Sequence, residues 1–259
     1  MIIRSDGDNK QFSFSGAEAV DAKNKLFEYF RQAGLDPLNT AQWKEGIFRL
    51  FDIETVNLPN FSENNYILAP NHISDFDAVI LGLLSPGIRI ISKIGWAANE
   101  ELMGFLRLHY DIIGIYRDYD IDALDDDKKK EAKKHNYNVT IDALKYLKGA
   151  DKGRHLLIFP QGTISDVNHN SKERVNLGFV KMAFAAKADV VNIFTEYPDI
   201  SGKTRIVCGT PYTISDRNHD YRQVWLDSVI ALQNSLNGVR KPILSEKHAQ
   251  NNNPSEPYF

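Results

Sequence analysis

Strand-length apolar runs alternate with helical patterns through the middle of this chain, and that alternation restricts the fold more than any other feature. The runs are Tyr66–Ala69, Arg89–Ile91, Ile112–Tyr116, His155–Phe159, Val190–Phe194 and Arg205–Cys208. Apolar residues at helical spacing fall at Asp75–Leu84, Asn99–Leu108, Asp125–Lys148, Glu173–Lys187 and Tyr221–Leu236. Strands separated by helices predict an α/β fold with a mixed, largely parallel central sheet flanked by helices. Two further helical patterns come first. Val20, Leu26, Phe27 and Phe30 recur between Gly16 and Ala33, with Gly34 as a stop signal, and Ala41–Leu50 offers Trp43, Ile47, Phe48 and Leu50. The expected organisation is a small N-terminal helical segment over 1–58, a main domain over 59–240 and a disordered tail over 241–259.

Composition narrows the setting. With 259 residues the chain can bury a sizeable core. Its longest uncharged run, Ser228 to Val239, is twelve residues; a spanning helix needs about 20 apolar ones. Met1 to Lys10 lacks the basic-then-apolar order of a secretory leader. The single cysteine, Cys208, excludes an internal disulfide framework, and a net charge of -3 argues against general nucleic-acid binding. A cytoplasmic protein is expected, with no nucleic-acid partner. Asp118, Asp120 and Asp122 have the opening spacing of a calcium loop, but Ala123 stands where glycine is required and Lys129 where glutamate is. The acid-then-base run from Asp125 to Lys130 suits the start of a solvated helix.

His72-Ile73-Ser74-Asp75-Phe76-Asp77 follows one strand and opens an apolar helix. With Ser74 as N-cap, Asp77 is the third helical residue, and its side chain leans back over the first turn toward the loop carrying His72. Asp77 can then hold one ring nitrogen of His72 while the other faces a substrate. Ser74-x-x-Asp77 is equally a capping box that only stabilises the helix start. Further on, Ile112–Tyr116 ends in a cation, Arg117, which can pair simply with Asp118 or Asp120. The strand His155–Phe159 ends in Pro160-Gln161-Gly162-Thr163, where Gly162 can turn backbone N–H groups toward a developing oxyanion.

Taken in order, these segments resemble the four motif blocks of the glycerolipid acyltransferase family, which includes 1-acylglycerol-3-phosphate and glycerol-3-phosphate acyltransferases. Asn71-His72-x4-Asp77 matches the first block. Lys93 and Gly104, leading into Gly114-Ile115-Tyr116-Arg117, look like the second, and Phe159-Pro160-Gln161-Gly162-Thr163 like the third. Leu177-Gly178-Phe179, Ala183 and Val190-Val191-Asn192-Ile193 are similar to the fourth. Independent short motifs in the right order are far more specific together than apart.

The resemblance implies acyl transfer from acyl-CoA or acyl carrier protein, with no cofactor and no metal, to a hydroxyl of lysophosphatidate or a related lysolipid. His72 would be the general base and Asp77 would orient it. Gly162 would serve the oxyanion turn, and Arg117, Lys93, Gln161 and Thr163 the acceptor. The chain departs from the family at Gln161, where glutamate is usual, at Ile164, often arginine, and at Asn192, usually proline. Those departures bear on an acceptor phosphate, which Lys172 or Arg174 could also contact. A non-phosphorylated acceptor, or a lipid-binding protein without turnover, are the alternatives. A metal-dependent hydrolase finds no ligand spacing among His109, His169 and His219. A bilayer acceptor implies peripheral membrane contact, for which the two N-terminal helices are candidates unless their apolar faces pack on the core.

Overall fold

The computed structural model describes residues 17–74, 76–94, 104–162, 175–197 and 203–237. Among them, seven strands form one sheet: β1 (Ile53–Val56), β2 (Tyr66–Pro70), β3 (Ile88–Lys93), β4 (Asp111–Ile115), β5 (His155–Leu157), β6 (Asp189–Glu196) and β7 (Thr204–Cys208), in the order β1-β7-β6-β2-β5-β3-β4. Every neighbouring pair is parallel except β6 with β7. The sheet is thus mixed and largely parallel, as the alternation of runs requires.

Both faces are covered, which is why β2 reads as an unbroken apolar run with all five residues buried. Alternate residues feed two cores. Leu68, Ile90, Leu157, Val191 and Ile193 meet helices α1 (Ala17–Gln32), α2 (Thr40–Phe51) and α3 (Phe76–Leu81) on one face. Ile67, Ala69, Leu156, Val190 and Val207 meet α5 (Asp126–Leu147), α6 (Gly178–Ala186) and α7 (Tyr221–Asn237) on the other. The short α4 (Asp118–Asp122) sits where the calcium spacing was rejected. Asp125 caps α5 by accepting the Lys128 N–H at 2.9 Å, so the acid-then-base run does open a helix.

The N-terminal segment is not an appendage. Phe30, Trp43 and Ile47 are fully buried in the first core, and Trp43 donates to the Tyr110 hydroxyl at 2.7 Å. Gly46 lets the Phe30 ring lie against α2, since a Cβ there would come within 2.4 Å of it. The expected boundary at 58 also falls too late: Ile53–Val56 is an edge strand bonded in register to β7. Four residues, three half-buried and Glu54 exposed, give too little alternation to be read as a strand. The expected tail over 241–259 and the first half of the expected helix Asn99–Leu108, residues 99–103, lie outside the described residues.

At the opposite end of the sheet from the strand carboxyl ends, His155 is completely buried. Its Nδ1 accepts the Tyr66 N–H at 3.2 Å, and its ring lies against those of Tyr66 and Phe61. Burial pushes its pKa down to about 4, against a smaller opposing pull from the Phe61 backbone. The ring is therefore neutral in the fold, whereas the unfolded chain takes up its proton near the ordinary histidine value of about 6.5. Its contribution to stability is complete above that value and is lost as the pH falls toward 4, by up to about 1.4 kcal/mol per pH unit. Thermal midpoints read between pH 7 and pH 5 should fall more steeply for the wild type than for His155→Asn, which keeps an acceptor for the Tyr66 amide. Parallel curves would contradict the assignment.

Candidate active site

The site forms where β2 leaves the sheet. Asn71 extends the β2–β6 ladder by one step: its N–H donates to the Ile193 carbonyl at 3.1 Å, and its fully buried side chain bridges the Thr195 N–H at 2.7 Å and the Thr195 carbonyl at 3.0 Å. That fixes the point from which His72 departs. The His72 amide then donates to Oε1 of Gln161 at 2.6 Å, and its ring stacks on Phe159 with centroids 4.1 Å apart.

Asp77 lies in the first turn of α3, fully buried. Its Oδ2 accepts from the Ile73 N–H at 2.7 Å, the Ser74 N–H at 2.9 Å and Nδ1 of His72 at 3.0 Å, while Oδ1 accepts the Tyr197 hydroxyl at 2.8 Å. Ser74 caps the same turn, its Oγ accepting the Phe76 N–H at 3.2 Å and its carbonyl the Asp77 N–H at 3.1 Å. Capping and the pairing with His72 are therefore both made, by one carboxylate oxygen. An ionised carboxylate only accepts, which assigns the proton to Nδ1 and the lone pair to Nε2. The His72 side chain is 16% exposed, so that lone pair lies at the edge of the site rather than sealed in the core.

Gly162 has φ +65° and open space where a Cβ would point, the left-handed turn its sequence position suggested. Its own N–H does not face a substrate: it closes the turn onto the Phe159 carbonyl at 3.0 Å. Of the backbone N–H groups expected near an oxyanion, Gly162's own is therefore the one engaged within the turn. The Gly162 carbonyl instead accepts from Nη1 of Arg117 at 3.3 Å, which brings Arg117 beside the turn that supports His72.

Arg117 also holds Asp120, with Nε 2.9 Å from Oδ2 and Nη2 3.3 Å from Oδ1, and Lys93 approaches the same carboxylate at 3.7 Å. Partial burial would raise the Asp120 carboxyl. Hydrogen bonds from the Arg117 side chain and backbone, with the charges of Arg117 and Lys93, outweigh it and hold the group below the ordinary value. Asn136 on α5 fixes the approach to Arg117 by taking both backbone groups of Tyr116, at 2.9 and 2.7 Å. His72, Asp77, Gln161, Gly162, Arg117 and Lys93 are thus linked through direct contacts. Thr163, Ile164, Lys172 and Arg174 lie outside the described residues.

Over residues 52–196, more than half of its length, the sequence matches the Acyltransferase family. The chain belongs to that family. No curated protein sequence matches this acyltransferase. Its fold is similar to the crystal structure of the 1-acyl-sn-glycerophosphate (LPA) acyltransferase, PlsC, from Thermotoga maritima, with a TM-score of 0.52 at 15% identity, covering 86% of this chain and 91% of that one.

Tyr197 lies one residue beyond the matched span of the acyltransferase, and sequence reasoning missed it. The signal was present: alternation along β6 puts Tyr197 on the same face as Ile193, whose side chain joins the core beneath α3. Asn136 was missed as well, since its partner Tyr116 is twenty residues away and no short motif records such a contact. Asp120 was read only as a local partner of Arg117, without Lys93.

Proposed function

We propose that this acyltransferase moves a fatty acyl group from a thioester, acyl-CoA or acyl carrier protein, to a hydroxyl of a lysolipid. The His72–Asp77 pair carries the reading. Nε2 of His72 would take the hydroxyl proton as the oxygen attacks the thioester carbonyl. The tetrahedral intermediate would then collapse with cleavage of the C–S bond, and the imidazolium would return the proton to the departing thiolate. Asp77 would hold the Nδ1–H tautomer and offset the charge that forms on the ring, as the acid does in a serine triad, here with the acceptor oxygen as nucleophile. Lys93, Arg117, Gln161 and Thr163 are assigned to the acceptor end, and Gly162 to the turn beside the reacting carbonyl.

Two acceptors fit this scheme. Lysophosphatidate is the one the motif series implies, and the fold is shared with an enzyme described as acting on it. An unphosphorylated lipid alcohol is favoured by the carboxylate of Asp120 standing on both candidate phosphate ligands. Purified protein should be offered labelled acyl-CoA and acyl carrier protein, each with a lysolipid panel, and the products weighed by mass spectrometry. A labelled two-chain lipid is expected. Product no greater than that of His72→Ala for every pair would instead favour a lipid-binding protein without turnover.

For membrane contact we propose the corner between α1 and α2 rather than the helix faces, which are used in the core. Leu38 and Leu108 are 60% and 56% exposed, and the segments bearing them are joined where His109 bonds the Pro37 carbonyl at 2.8 Å. No helix among the described residues is long and apolar enough to cross a membrane. Flotation with anionic liposomes should recover the wild type and much less of Leu38→Asp/Leu108→Asp; equal recovery would remove the proposal. Because the helices are part of the core, this pair tests the contact better than a truncation.

A further inference from the structure

We propose that Asp120 is a specificity-determining residue that takes the place of an acceptor anion, so that the site selects hydroxyl acceptors bearing no phosphate monoester. The inference rests on the acyl-transfer reading above and deepens it.

All three guanidinium nitrogens of Arg117 are engaged: Nε and Nη2 by the two oxygens of Asp120, Nη1 by the Gly162 carbonyl. The pair is only about one-fifth exposed on each side, 19% for Arg117 and 20% for Asp120, so water competes with it less than on an open surface. The Arg117 backbone N–H adds a further bond to Oδ2 at 3.3 Å, which ties the carboxylate to the first turn of α4. Lys93, more exposed, leans on Oδ1, the oxygen that also accepts Nη2 of Arg117, at 3.7 Å. Among the described residues, Arg117, Lys93 and Asp120 together carry a single net positive charge. A phosphate monoester brings up to two negative charges. Placed on Arg117 and Lys93, it would have to break a two-point bond and then sit against the displaced carboxylate, a like-charge contact that selects against such a ligand. A neutral acceptor leaves the pair intact, and a carboxylate has lone pairs enough to accept a hydroxyl as well. Since Arg117 also touches the turn that holds the His72 amide through Gln161, an acceptor seated against Asp120 is within the reach of the same site.

The test compares lysophosphatidate with the monoacylglycerol of the same chain length, both in mixed micelles, for wild type, Asp120→Asn and Asp120→Glu. Wild type should favour monoacylglycerol in kcat/KM by roughly tenfold or more, and Asp120→Asn should shift that ratio toward lysophosphatidate by roughly tenfold. Asp120→Glu keeps the charge and should keep the wild-type preference. Equilibrium binding of the two lipids without donor should show the same order and the same shift. That arm separates the two ideas: absent turnover with the binding shift present would sink the acyl-transfer reading and leave the selectivity standing. A wild type that prefers lysophosphatidate, or a ratio that does not move in Asp120→Asn by either measure, would overturn the proposal. Should Asp120→Asn fail to fold, Lys93→Met tests the same balance in the opposite sense: it removes a cation and should push binding further toward monoacylglycerol, with no change in the ratio counting against the idea.

Discussion

His72→Ala is expected to lower kcat by roughly 10³-fold, within the span of 10²–10⁴ that a positioned general base supplies. The loss should fall on kcat rather than KM, because Nε2 meets the acceptor proton as the oxygen attacks and not in the ground state. Folding should suffer little. After the change, Asp77 still accepts from the Ile73 and Ser74 amides and from Tyr197, so the start of α3 stays capped. The His72 amide still reaches Gln161. What goes is the stacked contact with Phe159 and the Nδ1 bond to Asp77, each worth on the order of 1 kcal/mol. Steady-state rates and a thermal melt on the same preparation check both halves.

Asp77→Asn divides the two tasks of that carboxylate. An asparagine can keep its oxygen toward the Ile73, Ser74 and His72 donors and turn its amide to the Tyr197 oxygen, so the cap survives. The negative charge facing the imidazolium does not. We expect kcat to fall roughly 10²- to 10³-fold with Tm nearly unchanged. Asp77→Ala should add a stability loss of about 2 kcal/mol or more, since the Ile73 and Ser74 amides lose their shared acceptor in a buried place. Tyr197→Phe acts through Asp77 and should move in the same direction by a smaller factor, about threefold to tenfold. A split in Tm between the asparagine and alanine variants, with both slow, would identify capping and catalysis as separate duties of one residue. Equal melts, or an asparagine variant with full activity, would say that the charge is idle.

The inner strands β2, β5 and β6 were legible because burial on both faces makes them nearly apolar throughout, as at Val190–Phe194, and the edge strand β4 because Ile112, Ile113 and Ile115 still make an apolar run. β1 was not, for on the other edge Ile53–Val56 is short and interrupted by the exposed Glu54. His72 and Asp77 were legible because five residues of local spacing decide their meeting. Whether Asp77 capped the helix or held the ring could not be decided from spacing, and the two turn out to be compatible on a single oxygen. Gln161 was noticed for differing from the usual glutamate, yet its role lies in a bond to an amide 89 residues away. Asp120 was noticed twice, as a failed calcium ligand and as a simple partner for Arg117. Only the fold adds Lys93 to that pair and sets all three beside the turn at Gly162.

The most direct measurement is acceptor-dependent consumption of a labelled acyl thioester, followed by rapid mixing with the intact mass of the protein recorded alongside. Direct attack by an acceptor oxygen activated at His72 requires that the thioester be consumed only when acceptor is present. The label should appear in the lipid with no acylated protein at any time, and His72→Ala should be slower by roughly 10²-fold or more. Accumulation of an acylated protein before acceptor is added, or equal rates in wild type and His72→Ala, would contradict it.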